Sequence, residues 1–174
     1  MNLRPVLCCV CSIALTVAVV TPSTLAPIQL EGVTGVALFV FVDRHLSNHA
    51  ALEAKVRETA VRALARDGYL SIQEHGHSHL RIEVLVQPDK RLTSKRSFVL
   101  QTRVEWREAV YLVRDPSIGG VEGIEATTWA DQVSRVEGND SVNQAMLRDI
   151  DWLVGRFASA VKSARTSKKS QLSY

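Results

Sequence analysis

Between Arg4 and Glu31 the chain carries no charge, and residues 6–20 are almost entirely apolar. A short basic start followed by such a stretch is the layout of a secretory signal. The small residues at Thr24-Leu25-Ala26 place the expected cut after Ala26, with Pro27 an unfavourable residue to follow it. The rival reading is an uncleaved anchor reaching to about residue 30, because ~20 apolar residues suffice to cross a bilayer. Thr21, Pro22, Ser23 and Thr24 interrupt the run. They leave a continuous apolar core of roughly 15 residues, which favours a cleaved signal over an anchor.

All three cysteines, Cys8, Cys9 and Cys11, lie inside this segment. None follows a complete apolar region with a small residue before it, so lipidation by the bacterial lipoprotein route is not expected. A chain cut after Ala26 has no thiol, which removes disulfides and thiol catalysis together. With 46% hydrophobic and 22% charged residues, composition excludes a disordered or collagen-like chain. A net charge of +3 is too small to argue for nucleic acid, and no aromatic stacking platform is legible.

Downstream, the pattern alternates between periods of two and of 3.6. Residues 35–42 are a dense β-branched and aromatic run, as in a central strand. A helix follows to about Asp67, with Ser47 or Asn48 as cap and Leu52, Val56, Ala60 and Leu64 as its buried stripe. Gly68 supplies a left-handed stop. Residues 69–74 and 80–86 alternate as strands around a polar turn at 75–78. Residues 98–106 put Gln101, Arg103 and Glu105 on a wet face, and 108–114 resume in shifted phase. A bulge near Arg107-Glu108 in one long strand explains that shift, and so does a tight hairpin. Residues 121–133 read as a weak strand or an extended arm.

A closing helix opens on a Ser141–Gln144 capping box and buries Met146, Ile150, Leu153, Phe157 and Val161. Trp106 and Trp152 fit buried faces or their edges, and residues 166–174 read as a disordered basic tail. The expectation is one α+β domain over 32–165. It is a two-layer sandwich whose mostly antiparallel sheet of four to six strands carries two helices on one face, in the order β-α-β-β-β-(β)-α.

Three imidazoles at alternate positions, His75, His77 and His79, are the most conspicuous chemical cluster. On an extended chain they converge on one side, as zinc, copper or nickel sites require. They fall at a predicted turn, however, with only Glu74 nearby. His45, His49 and Glu53 share helical spacing, but the expected cap puts His45 ahead of the helix. There is no Gly-x-Ser-x-Gly elbow, and the glycines at 119, 120 and 123 do not join a strand to a helix. No cofactor is indicated. Lys90, Arg91, Lys95 and Arg96 ring one loop and suit phosphate-bearing head groups or an acidic partner. Trp129, in the least regular segment, is the candidate exposed anchor.

The sequence therefore points to an exported, non-enzymatic envelope protein, in a bacterial periplasm or outer envelope. It would bind a protein or lipid partner, and no nucleic acid. A metal-binding protein using the histidine cluster and a small hydrolase are the alternatives.

Overall fold

A computed structural model describes residues 30, 32–44, 46, 48–66, 68, 70–76, 78–88, 97–110 and 124–171. Five strands and two helices follow one another as β1 (Gly35–Val42), α1 (His49–Ala65), β2 (Ser71–Gln73), β3 (His79–Pro88), β4 (Ser97–Val110), β5 (Ile124–Gly138) and α2 (Val142–Gln171). The strands form one sheet in the order β2-β1-β3-β4-β5, and the fold is α+β.

The expected layers are present. Alternation sends Val36, Leu38 and Val42 of β1, Leu80, Ile82, Val84 and Val86 of β3, and Leu100, Val104 and Trp106 of β4 into one core. Both predicted helical stripes are buried against it: Leu52, Val56, Ala60 and Leu64 of α1, and Met146, Ile150, Leu153, Phe157 and Val161 of α2. At the centre Phe157 stacks on Trp106 with ring centroids 5.5 Å apart and meets Trp129 edge-on at 5.3 Å. Among the described residues no helix is long and apolar enough to cross a membrane.

Pairing is mixed. β1 runs parallel to both β2 and β3, while the antiparallel meander β3-β4-β5 carries the longest strands, of 10, 14 and 15 residues. Ala37 pairs with Gln73 on one side and with His79 on the other. The short connection from β2 to β3 therefore steps across β1, on the face opposite the helices. Gly76 sits above Ala37, where an added Cβ would lie 3.7 Å from the Ala37 Cβ. That cover explains why Ala37 is fully buried on the face away from the helices.

Several boundaries differ from expectation. β4 is one long strand with no hairpin at Arg107-Glu108, and the register shift between Trp106 and Arg107 comes from one extra residue on β5, Thr128, and not from a bulge in β4. β5 runs on to Gly138, and α2 continues through residues 166–171 expected as tail. α1 starts behind Asn48, which sits in the left-handed region at φ 64° without a side-chain cap bond. Gly68, at φ +65°, supplies the predicted stop. The Ser141 hydroxyl donates to Glu137 Oε2 at 2.7 Å and to the Gly138 carbonyl at 3.2 Å, in place of a capping box.

Gly35 is crowded by one exposed side chain. A Cβ there would lie 2.1 Å from Nε2 and 2.4 Å from Cδ of Gln73. Gly35→Ala is expected to cost about 0.5 kcal/mol or less in urea unfolding, because the exposed Gln73 side chain can swing aside. A larger loss that Gln73→Ala does not recover would show that the backbone, not Gln73, sets the limit.

Candidate partner-binding surface

The sheet face away from the helices is where the side chains with chemistry gather. Register aligns them in rows: Ala37–His79–Arg107, Phe39–Arg81–Glu105–Ala130 and Phe41–Glu83–Arg103–Gln132. Opposite charges thus face each other across β3 and β4, the arrangement that stabilises neighbouring strands.

Glu105 is the hub. Its Oε1 lies 2.5 Å from Arg103 and its Oε2 2.8 Å from Arg107, and only 4% of the residue is exposed. Arg107 reaches on to Glu125 at 3.4 Å, and Arg81 pairs with Glu83 at 3.4 Å. Burial opposes the charge on Arg107, but the hydrogen bonds and charges of Glu105 and Glu125 prevail and raise its pKa. His79 presents Nε2 to Glu125 at 3.2 Å and its ring to Phe39, centroids 4.4 Å apart. Burial lowers the His79 pKa; Glu125 opposes this, while Arg107 and Arg81 add to it. Beside this network stand two aromatic side chains open to solvent, Phe39 at 54% and Phe41 at 42% exposure.

On the core side, acids of β5 and α2 pair with arginines. Arg156 meets Asp131 at 2.6 Å, and Arg135 holds Asp149 Oδ1. Asp149 is almost fully buried, and its Oδ2 has no partner. Burial raises its pKa, against the pull of Arg135 and Arg148.

The residues singled out from sequence scatter. His75 is exposed in the step across β1, His79 belongs to the charged rows, and His77 lies outside the described residues. Among the described residues no three His, Cys, Asp or Glu side chains converge on a metal-sized site. His49 opens α1 four residues before Glu53, and His45 lies outside the described residues. Lys90, Arg91, Lys95 and Arg96 lie outside them as well. Trp129 lies on β5 beside the register shift and folds back onto Phe157. The exposed indole is Trp152, at 47%, beneath the Arg156 guanidinium 4.9 Å from its ring centre. Sequence reasoning missed Phe39 and Phe41 as surface residues and read Glu105 as wet. The i, i+2 charges Arg81/Glu83 and Arg103/Glu105/Arg107 were the available signal.

No protein-family model matches the chain, and no curated protein matches it by sequence. Solved structures that resemble its fold include a hypothetical protein from Chlamydia trachomatis, at 13% identity over 74% of this chain and 98% of that one, TM-score 0.44. A PelC dodecamer from Paraburkholderia phytofirmans aligns at 11% identity over 72% and 87%, TM-score 0.42. The rare lipoprotein B from Shewanella oneidensis aligns at 13% over 79% and 99%, TM-score 0.30. These are distant likenesses of shape.

Proposed function

We propose that this is an exported, non-enzymatic protein of the cell envelope that binds a partner protein through its open sheet face. The observation that carries the reading is the pair Phe39 and Phe41, exposed side by side on a strand flanked by a charged network. Aromatic anchors beside arginine are what protein interfaces bury. Around them Arg81, Arg103 and Arg107 are matched by Glu83, Glu105 and Glu125. A face so balanced suits a protein better than an anionic lipid surface, which selects an excess of cations. These carboxylates and guanidiniums are spent on one another, which favours binding over catalysis. Export rests on the uncharged run over residues 5–30.

A photo-crosslinking phenylalanine analogue at position 41 tests this in intact envelopes. A discrete protein adduct is expected, absent when the analogue sits at exposed Glu58 on α1, and reduced at least about tenfold by Phe39→Ser. Equal adducts from both positions, or a lipid adduct alone, would overturn it.

A further inference from the structure

The apolar surface of the open sheet face does not end at the two phenylalanines. Register carries it onward strand by strand. Leu85 lies diagonal to Phe41 across β1 and β3, and Val99 lies diagonal to Leu85 across β3 and β4. Val136 stands directly opposite Val99 on β5. Phe39, Phe41, Val99 and Val136 are exposed, and Leu85 is half-buried. Side chains directly opposite, or one diagonal apart, are within reach of each other. The five therefore form one apolar stripe, about a side chain wide, running obliquely from β1 to β5. Arg81, Arg103 and Gln101 border it on one side and Gln87 on the other. From Phe39 to Val136 it covers about 20 Å along the strands and about 14 Å across them, roughly 24 Å end to end and about 35° off the strand direction.

We infer that this stripe receives an amphipathic helix of the partner protein, with acidic residues along one flank. The inference rests on the binding reading above and names what is bound. Shape selects the helix. Apolar residues at three- and four-residue steps line up as one narrow ridge, and about 16 helical residues span the stripe. An added strand pairs at a sheet edge, not across a face, and a second sheet needs a broad apolar surface. Charge selects the flank. The Arg81 and Arg103 side chains are 36% and 44% exposed, against 24% and 5% for Glu83 and Glu105, with which they pair. The guanidiniums thus stand outermost beside the stripe and face acids on the incoming helix. Neither helix of this chain is the occupant, because α1 and α2 bury their apolar stripes in their own core. Residues 5–30 carry no acid and lack the required flank.

The test places the photo-crosslinking phenylalanine analogue at position 39 and, separately, at position 136 of the full chain in intact envelopes. The adducted residues are then mapped by mass spectrometry. Both positions are expected to mark one protein, at sites about 12–20 residues apart within a single segment, since a helix rises about 1.5 Å per residue. An extended segment would put the two sites about 7 residues apart. A folded surface would put them on separate segments. Either result, or an adduct to a second copy of this chain, overturns the helix while a protein adduct at Phe41 still supports the broader reading. Val136→Glu, with its far-ultraviolet circular dichroism unchanged, should cut the adduct at position 39 at least about fivefold. An unchanged yield would show that the stripe is not used as a unit and overturn the inference. No protein adduct from positions 39, 41 or 136 overturns both readings together.

Discussion

Phe157→Ala is expected to lower the free energy of unfolding by about 3–5 kcal/mol, the range for deleting a buried aromatic ring. Phe157 is fully enclosed and holds Trp106 on one side and Trp129 on the other, so its loss empties the contact between α2 and the β4-β5 hairpin. Against a total of about 5–15 kcal/mol for a domain, the variant stands near the edge of folding. Urea titration followed by far-ultraviolet circular dichroism measures the change, with tryptophan emission shifting red as both indoles gain water. A loss below about 1.5 kcal/mol would mean that the ring does not fill the core as described.

The second large effect concerns charge. Arg135→Met removes the cation beside buried Asp149 and is expected to cost about 2–3 kcal/mol at pH 7. That is less than the roughly 3–5 of a fully enclosed pair, because the Arg135 side chain keeps 38% exposure and part of its interaction is screened. The cost depends on pH with a definite sign. Burial already holds the Asp149 pKa above the usual carboxylate value, and Arg135 opposes that shift. Without Arg135 burial acts further, and the folded state keeps its proton to higher pH than the unfolded state does. Stability from this group is then present in acid and lost as pH rises through the folded pKa. The deficit of Arg135→Met should therefore shrink toward about pH 4 and widen above it. Adding Asp149→Asn should remove most of the deficit at pH 7. A deficit constant from acid to neutral pH would sink the account.

These charges also explain what the sequence concealed. The helical stripes were legible because every fourth or third residue is apolar. β5 was not, because Asp131, Arg135 and Glu137 occupy positions on the same side as Trp129 and Val133, where an apolar residue is expected. Their partners Arg156 and Asp149 come from α2, and no local pattern announces a partner on another element. Inward charges of this kind also guard a long edge strand against pairing with other chains. The direction of β2 and β3 was hidden for a related reason: a short polar link ordinarily signals a hairpin, and here it steps over a third strand. Phe39 and Phe41 read as core because β-branched and aromatic density reports strand, not which of its faces is covered. Trp152 misled in the opposite sense, since its neighbours on α2 keep the core stripe without it.

The placement of β1 has a mechanical consequence. It lies between two parallel neighbours, with α1 on one face and the β2–β3 step over Ala37 on the other. The segment just before it is gripped by α2, through the Arg165 guanidinium on the Val33 carbonyl. Tension on the chain ahead of Gly35 therefore meets that grip first and then loads both β1 ladders lengthwise. Their hydrogen bonds must yield together, in shear, where an edge hairpin would unzip one bond at a time. The start of β1 is thus tied at once to α2 and to both neighbouring strands.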